Sequence, residues 1–126
     1  MLLNINVKEP VTLHEGLYKG QDLKSFLDMD LPSTFLFVMK SDAMAQALIF
    51  KGDVVLCRKD IIPDSGDIVV AVLNGKFIMR YLYNEPYPML KSADDKDIID
   101  LRFNRSCYLV GVVSGLMRKL KKISKF

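Results

Sequence analysis

The sequence predicts a mainly β domain, and three observations carry that reading. Strand-length apolar runs recur along the chain, most clearly at residues 54–58, 68–73 and 108–113. Turn signals separate them: Gly52-Asp53, Gly66-Asp67 and Asn74-Gly75 each stand immediately before or between such runs. Helical periodicity, by contrast, is confined to one short stretch near the N-terminus. With 126 residues, half of them hydrophobic and about a quarter charged, the chain suffices for one domain with a real core.

The elements follow in order. Residues 1–21 carry few structural signals beyond Glu9-Pro10, Gly16 and Gly20, and are expected to form an arm with little structure of its own. Residues 21–30 predict a short helix with Asp22 as N-cap and Leu23, Phe26 and Leu27 on one face. Leu31-Pro32-Ser33 ends it, because proline cannot continue a helix. A strand is expected at 35–39, and a short helical or looped segment at 43–50. Strands at 54–58 and 68–73 flank the turn-rich stretch 61–66. Asn74-Gly75 is the strongest hairpin signal and joins 68–73 to a strand at 76–82. Glu85-Pro86-Tyr87-Pro88 breaks that strand, and shorter ones near 89–91 and 98–103 lead to the last, at 108–113.

One spacing stands out. Ser41-Asp42-Ala43-Met44 follows the first core strand, and Arg80 lies 37 residues after Ala43 (80 − 43). Together with Gly52-Asp53-Val54-Val55-Leu56, Gly66-Asp67-Ile68-Val69-Val70-Ala71 and Gly75 to Leu82, this ordered series resembles the catalytic core of the LexA/UmuD family of self-cleaving SOS-response proteins. The resemblance covers roughly residues 22–120 and is greatest to the short UmuD-type members, down to Thr34 ahead of the first strand and Gly111-Val112-Val113 near the end. It implies the family's C-terminal peptidase fold: curved, partly coiled antiparallel sheets with one or two short helices. The domain is expected at 22–117, between the arm at 1–21 and a basic tail at 118–126.

In the family a nucleophilic Ser precedes the Met, and a Lys on a later strand is its base. Ala43 stands at the Ser position and Arg80 at the Lys position, flanked by Ser41, Asp42 and Met44. A serine hydroxyl attacks only when a neighbour takes its proton. A buried lysine can be neutral and do so, whereas the arginine guanidinium stays protonated. Ala43 has no oxygen to offer. The chain is thus expected not to cleave peptides by the family's route. Ser41 has no base beside it in sequence, and His14 lies far off on the arm, so a substitute nucleophile is not expected.

The signal peptidases share this core and chemistry but act from a membrane anchor. The apolar runs here are strand-length, well short of the roughly 20 residues that span a bilayer, and the first residues lack the layout of a signal peptide. Cys57 and Cys107 are expected as reduced thiols in a cytoplasmic protein, and two isolated cysteines with one histidine make no metal site. No cofactor is expected.

The net charge of +3 is unevenly placed: Arg118, Lys119, Lys121, Lys122 and Lys125 put five cations in the last nine residues. They are expected as a solvated tail, with electrostatic contact to DNA phosphates or an acidic partner as the functional alternative. Gln46-Ala47-Leu48-Ile49-Phe50 resembles the peptides that hold the bacterial sliding clamp, but its place inside the core match predicts that Leu48, Ile49 and Phe50 are packed inside.

The 34 residues before Phe35 show no pair of amphipathic helices, so a sequence-specific repressor is not expected. Self-cleaving relatives carry an Ala-Gly or Cys-Gly bond ahead of the core, whereas the arm here offers Glu15-Gly16 and Lys19-Gly20. The resemblance therefore implies a homodimeric, catalytically degenerate accessory protein. Its implied partners are a Y-family translesion polymerase and the recombinase filament of the DNA-damage response. Two alternatives stay open: an autopeptidase whose serine has been substituted at position 43, and a regulator that forms mixed dimers with an active relative.

Overall fold

Seven strands and one short helix organise residues 12–121, the part of the chain that the computed structural model describes. In chain order these are α1 (Gly20–Phe26), β1 (Thr34–Val38), β2 (Val54–Arg58), β3 (Ile68–Leu73), β4 (Lys76–Tyr83), β5 (Met89–Lys91), β6 (Ile98–Asp100) and β7 (Cys107–Met117). A single 3-10 turn, Ala45–Ala47, follows β1. The strands form one sheet in the order β1-β2-β7-β3-β4-β5-β6, and every neighbouring pair is antiparallel. The mainly β expectation holds.

Local chemistry accounts for the pairing. Asn74 and Gly75 both take positive φ, at 51° and 81°, as a two-residue hairpin loop requires, and Leu73 pairs with Lys76 across it. The Ser106 hydroxyl donates to the Asn74 side-chain oxygen and ties the hairpin to the start of β7. β7 is the long central strand because its first half pairs with β3 and its second with β2. Its register slips once against each neighbour, between Leu56 and Cys57 on β2 and between Val70 and Ala71 on β3. Such bulges add local twist and curl the sheet. Gly111 sits in this bent stretch, where a Cβ would lie 2.6 Å from the Arg58 carbonyl oxygen and 2.7 Å from Cys57 Sγ. Only glycine fits.

Strand alternation then splits the core into two clusters. Val70 packs with Met39, Met44, Ile49, Val55, Cys57 and Met79, while its neighbours Val69 and Ala71 pack with Leu82, Leu90, Ile99 and Val112. The two cysteines are free thiols, Cys57 buried and Cys107 half-buried, and burial pushes both up from the ordinary thiol value.

Several sequence expectations are corrected. The helix starts at Gly20 with Lys19 as N-cap. Asp22 is its third residue, and its carboxylate accepts the Lys19 N–H at 3.1 Å. The helix stops at Phe26 rather than residue 30, and Asp28 takes a positive φ of 58° just beyond. Leu23 and Phe26 remain substantially exposed, so its apolar face is only partly used within one chain. Leu48 and Phe50 are also exposed and only Ile49 is buried, because Leu48 takes a left-handed backbone (φ 63°) that turns the segment outward. β6 ends at Asp100, where the Phe103 N–H bonds back to the Asp100 carbonyl in a turn. β7 runs to Met117, four residues past its expected end (117 − 113). Residues 12–19 hold no helix or strand, and the reading of Glu9-Pro10 lies outside the described residues. No described helix is long and apolar enough to cross a membrane.

Candidate functional site

β1 delivers the chain into the segment 39–53, which loops out and returns onto its own start. The Met39 N–H donates to the Asp53 carbonyl (2.9 Å) and the Gly52 N–H to the Met39 carbonyl (2.8 Å). Met39 and Met44 anchor the segment in the first core cluster, both at most 1% exposed. Ala43, half-buried, is thereby fixed between two core methionine anchors. Lys40, Ser41 and Asp42 are exposed. The Ser41 hydroxyl oxygen accepts the Ala43 N–H at 3.4 Å, so it closes a local turn.

The far side of the segment is held by Asp53, which is 3% exposed. Its carboxylate accepts the Phe50 N–H (2.8 Å) and a two-pronged grip from Arg118, Nε to Oδ1 at 2.7 Å and Nη2 to Oδ2 at 2.6 Å. Arg118 Nη2 also donates to the Leu48 carbonyl (2.8 Å), and the guanidinium lies 5.0 Å from the Phe50 ring centre. The Arg118 hydrogen bond is the main cause that lowers the Asp53 carboxyl to about 2, against burial and with help from the Phe50 N–H. Arg118, grouped by the sequence with the tail's cations, is therefore committed inside the domain. Lys119 and Lys121 are exposed, whereas Lys122 and Lys125 lie outside the described residues.

Arg80 projects from β4 with its side chain 12% exposed. Its Nε and Nη2 both donate to Asp97 Oδ2, at 3.1 and 2.9 Å, and Nη1 donates to the Met79 carbonyl at 2.7 Å. Asp97 ends the loop 92–97 between β5 and β6. That loop is closed on itself: Ser92 N–H to the Asp97 carbonyl (2.9 Å), Asp97 N–H to Ser92 Oγ (3.0 Å), and Ser92 Oγ–H to Asp94 Oδ1 (2.6 Å). The Ser92 hydroxyl is also the main reason the Asp94 carboxyl is lowered. The same loop reaches position 43, since the Ala93 N–H donates to the Ala43 carbonyl at 2.9 Å. One loop thus grips the backbone of Ala43 and the side chain of Arg80.

The chemistry of this arrangement is restrictive. Position 43 presents a methyl group, and position 80 a guanidinium already bound to a carboxylate. These two positions therefore supply neither a nucleophilic oxygen nor a neutral base. Among the described residues no group of three or more His, Cys, Asp or Glu could hold a metal ion. Beside the site an apolar groove of about 720 Å³ runs between β1 and the β3–β4 hairpin, lined by Phe35, Phe37 and Phe77 with Lys40, Lys59 and Lys76.

Sequence reasoning overlooks Asp97 and the Asp53–Arg118 pair. The signal for Asp97 is weak: an acid-rich stretch, Asp94-Asp95-Lys96-Asp97, reads as a solvated turn until the topology sets β5 and β6 beside β4. Asp53 reads only as half of a Gly-Asp turn.

The chain is similar to several known proteins. The chain is 26% identical to Protein ImpA of Escherichia coli over 102 residues, 81% of this chain and 70% of ImpA. It is 24% identical to the LexA repressor of Caldicellulosiruptor saccharolyticus over 115 residues, 91% of this chain but only 51% of the repressor. A shorter match, 43% identical over 49 residues, links it to the LexA repressor of Magnetococcus marinus, covering 39% of this chain and 21% of the repressor. The family model for Peptidase S24-like proteins matches residues 9–114, nearly the whole chain, and with the curled β fold and the ordered series from β1 to β4 it makes this protein a member of the Peptidase S24-like family, the LexA/UmuD family.

Proposed function

We propose that this chain is a UmuD-like, catalytically degenerate, dimeric accessory protein of SOS-induced translesion DNA synthesis. The observation that carries the reading is the Arg80–Asp97 pair, linked to Ala43 through the 92–97 loop: the position read as the family's base holds a group that cannot accept a proton, and the position read as its nucleophile lacks an oxygen. What such a protein retains is its surface. Leu36 and Val38 on β1, an edge strand, are 57% and 44% exposed, and Leu23 and Phe26 of α1 are 45% exposed each. Exposed apolar side chains of this kind, on a strand that ends the sheet among the described residues and on the helix, suit a second copy of the chain.

In this reading the dimer binds a Y-family polymerase. Lys119 and Lys121 add non-specific attraction to DNA phosphates or to the recombinase filament. The test is co-purification of the intact chain with a Y-family polymerase, with the mass of the complex read by light scattering. Two copies per complex are expected. A chain that stays monomeric and leaves the polymerase unbound overturns the reading. Slowed self-cleavage of an active relative on mixing would replace it with the mixed-dimer regulator.

A further inference from the structure

We infer that Asp97 is a positioning residue that clamps the side chain at position 80 and would hold even a lysine there in its charged form, so that restoring Ser and Lys would leave a third obstacle. The inference rests on the reading of positions 43 and 80 as the family's nucleophile and base positions.

The geometry is specific. Asp97 Oδ2 accepts from both Nε and Nη2 of Arg80, at 3.1 and 2.9 Å. The loop that presents it is braced by Ser92, whose Oγ accepts the Asp97 N–H and whose N–H reaches the Asp97 carbonyl. The Ala93 N–H bond to the Ala43 carbonyl holds the same loop against the nucleophile position. The backbone of Asp97 is therefore placed by the loop's own bonds, which keeps its carboxylate within reach of position 80.

The acids of the neighbouring elements have other partners. On β3 the cross-strand neighbour is Val69, which carries no charge. On β5, Lys91 pairs with Asp95 at 3.6 Å. On the loop, Asp94 Oδ1 takes the Ser92 hydroxyl and the Lys96 N–H. Among the described residues Asp97 is the acid that forms an ion pair with Arg80.

A lysine placed at position 80 would meet the same carboxylate. An anion at hydrogen-bond distance favours the ammonium over the free amine, and only the free amine can take a proton from a serine. Restoring Ser and Lys alone would leave the base charged at neutral pH. Neutralising Asp97 would release it, since burial of an unpaired ammonium then favours the neutral form.

The experiment compares Ala43→Ser/Arg80→Lys with the same protein carrying Asp97→Asn in addition, and with Asp97→Glu as the conservative variant. The ε-carbon of the lysine introduced at position 80 is followed by NMR as pH is varied, alongside intact mass for self-cleavage. The expected result is a titration midpoint for that lysine lower by at least about one pH unit when Asp97→Asn is added, and returned when Asp97→Glu is added instead. Coincident midpoints with and without Asp97→Asn overturn the inference, whether or not either protein cleaves. A lowered midpoint without cleavage still upholds the role of Asp97, because the arm offers neither an Ala-Gly nor a Cys-Gly bond to cut.

Discussion

Arg118 and Arg80 each grip one aspartate, with opposite partners buried. In the Arg118–Asp53 pair the acid is buried, its side chain 3% exposed against 34% for the arginine. In the Arg80–Asp97 pair the arginine is buried, at 12% against 51% for the acid. The first pair is constructive: Asp53 and Arg118 satisfy the Phe50 N–H and the Leu48 carbonyl of a segment that would otherwise hang from the sheet. The second, on the function proposed above, is a replacement that fills the place of a proton acceptor. The difference teaches that an ion pair's worth follows from what its buried member would lose.

The largest expected effect lies at the constructive pair. Asp53→Ala removes the acceptor of three hydrogen bonds, two of them from a cation, and should destabilise by about 2–4 kcal/mol in urea unfolding. A smaller loss would break the comparison at its stronger end.

The same pair sets an acid limit. The Asp53 carboxyl is lowered to about 2, chiefly by Arg118, from an unfolded value of about 3.9. Its folded form therefore binds a proton less readily than its unfolded form. The stability it contributes is fully present above about pH 4 and is lost as pH falls towards 2. Asp60, lowered to about 2 chiefly by the Arg58 hydrogen bond, titrates in the same window. Asp53→Asn should therefore flatten, without abolishing, the fall in melting temperature between pH 4 and 2.

At the replacement pair the effects shrink. Asp97→Asn takes the anion from a buried guanidinium while leaving an amide oxygen to accept from it, and should lower stability by about 1–2 kcal/mol. Arg80→Met, which exchanges a buried cation for an apolar chain of similar length, should be neutral to within about 1 kcal/mol. An Arg80→Met protein as unstable as Asp53→Ala would mean that the second pair also builds the fold.

Much of the sheet was legible in the sequence because its signals are local. β2, β3 and β5 fall where the apolar runs stand, and Asn74-Gly75 named its own hairpin. Positions 43 and 80 could be singled out because the series around them is ordered along the chain. What stayed hidden depends on distant partners. The length of β7 is set by two strands that pair with its two halves, and nothing within 114–117 announces the second. Arg118 looked like the first residue of a basic tail, and only the return of β7 beside β2 brings it to Asp53, 65 residues away. Asp97 meets Arg80 through the β5–β6 loop. The outward turn of Leu48 reverses a packing expectation through a single left-handed backbone.

The central claim is that this peptidase fold performs no peptidase chemistry. It is tested most directly by incubating the intact 126-residue chain at alkaline pH, and with activated recombinase filament, followed by intact mass. The account predicts one unchanged mass under both conditions. A defined cleavage product that disappears on Arg80→Met would contradict it.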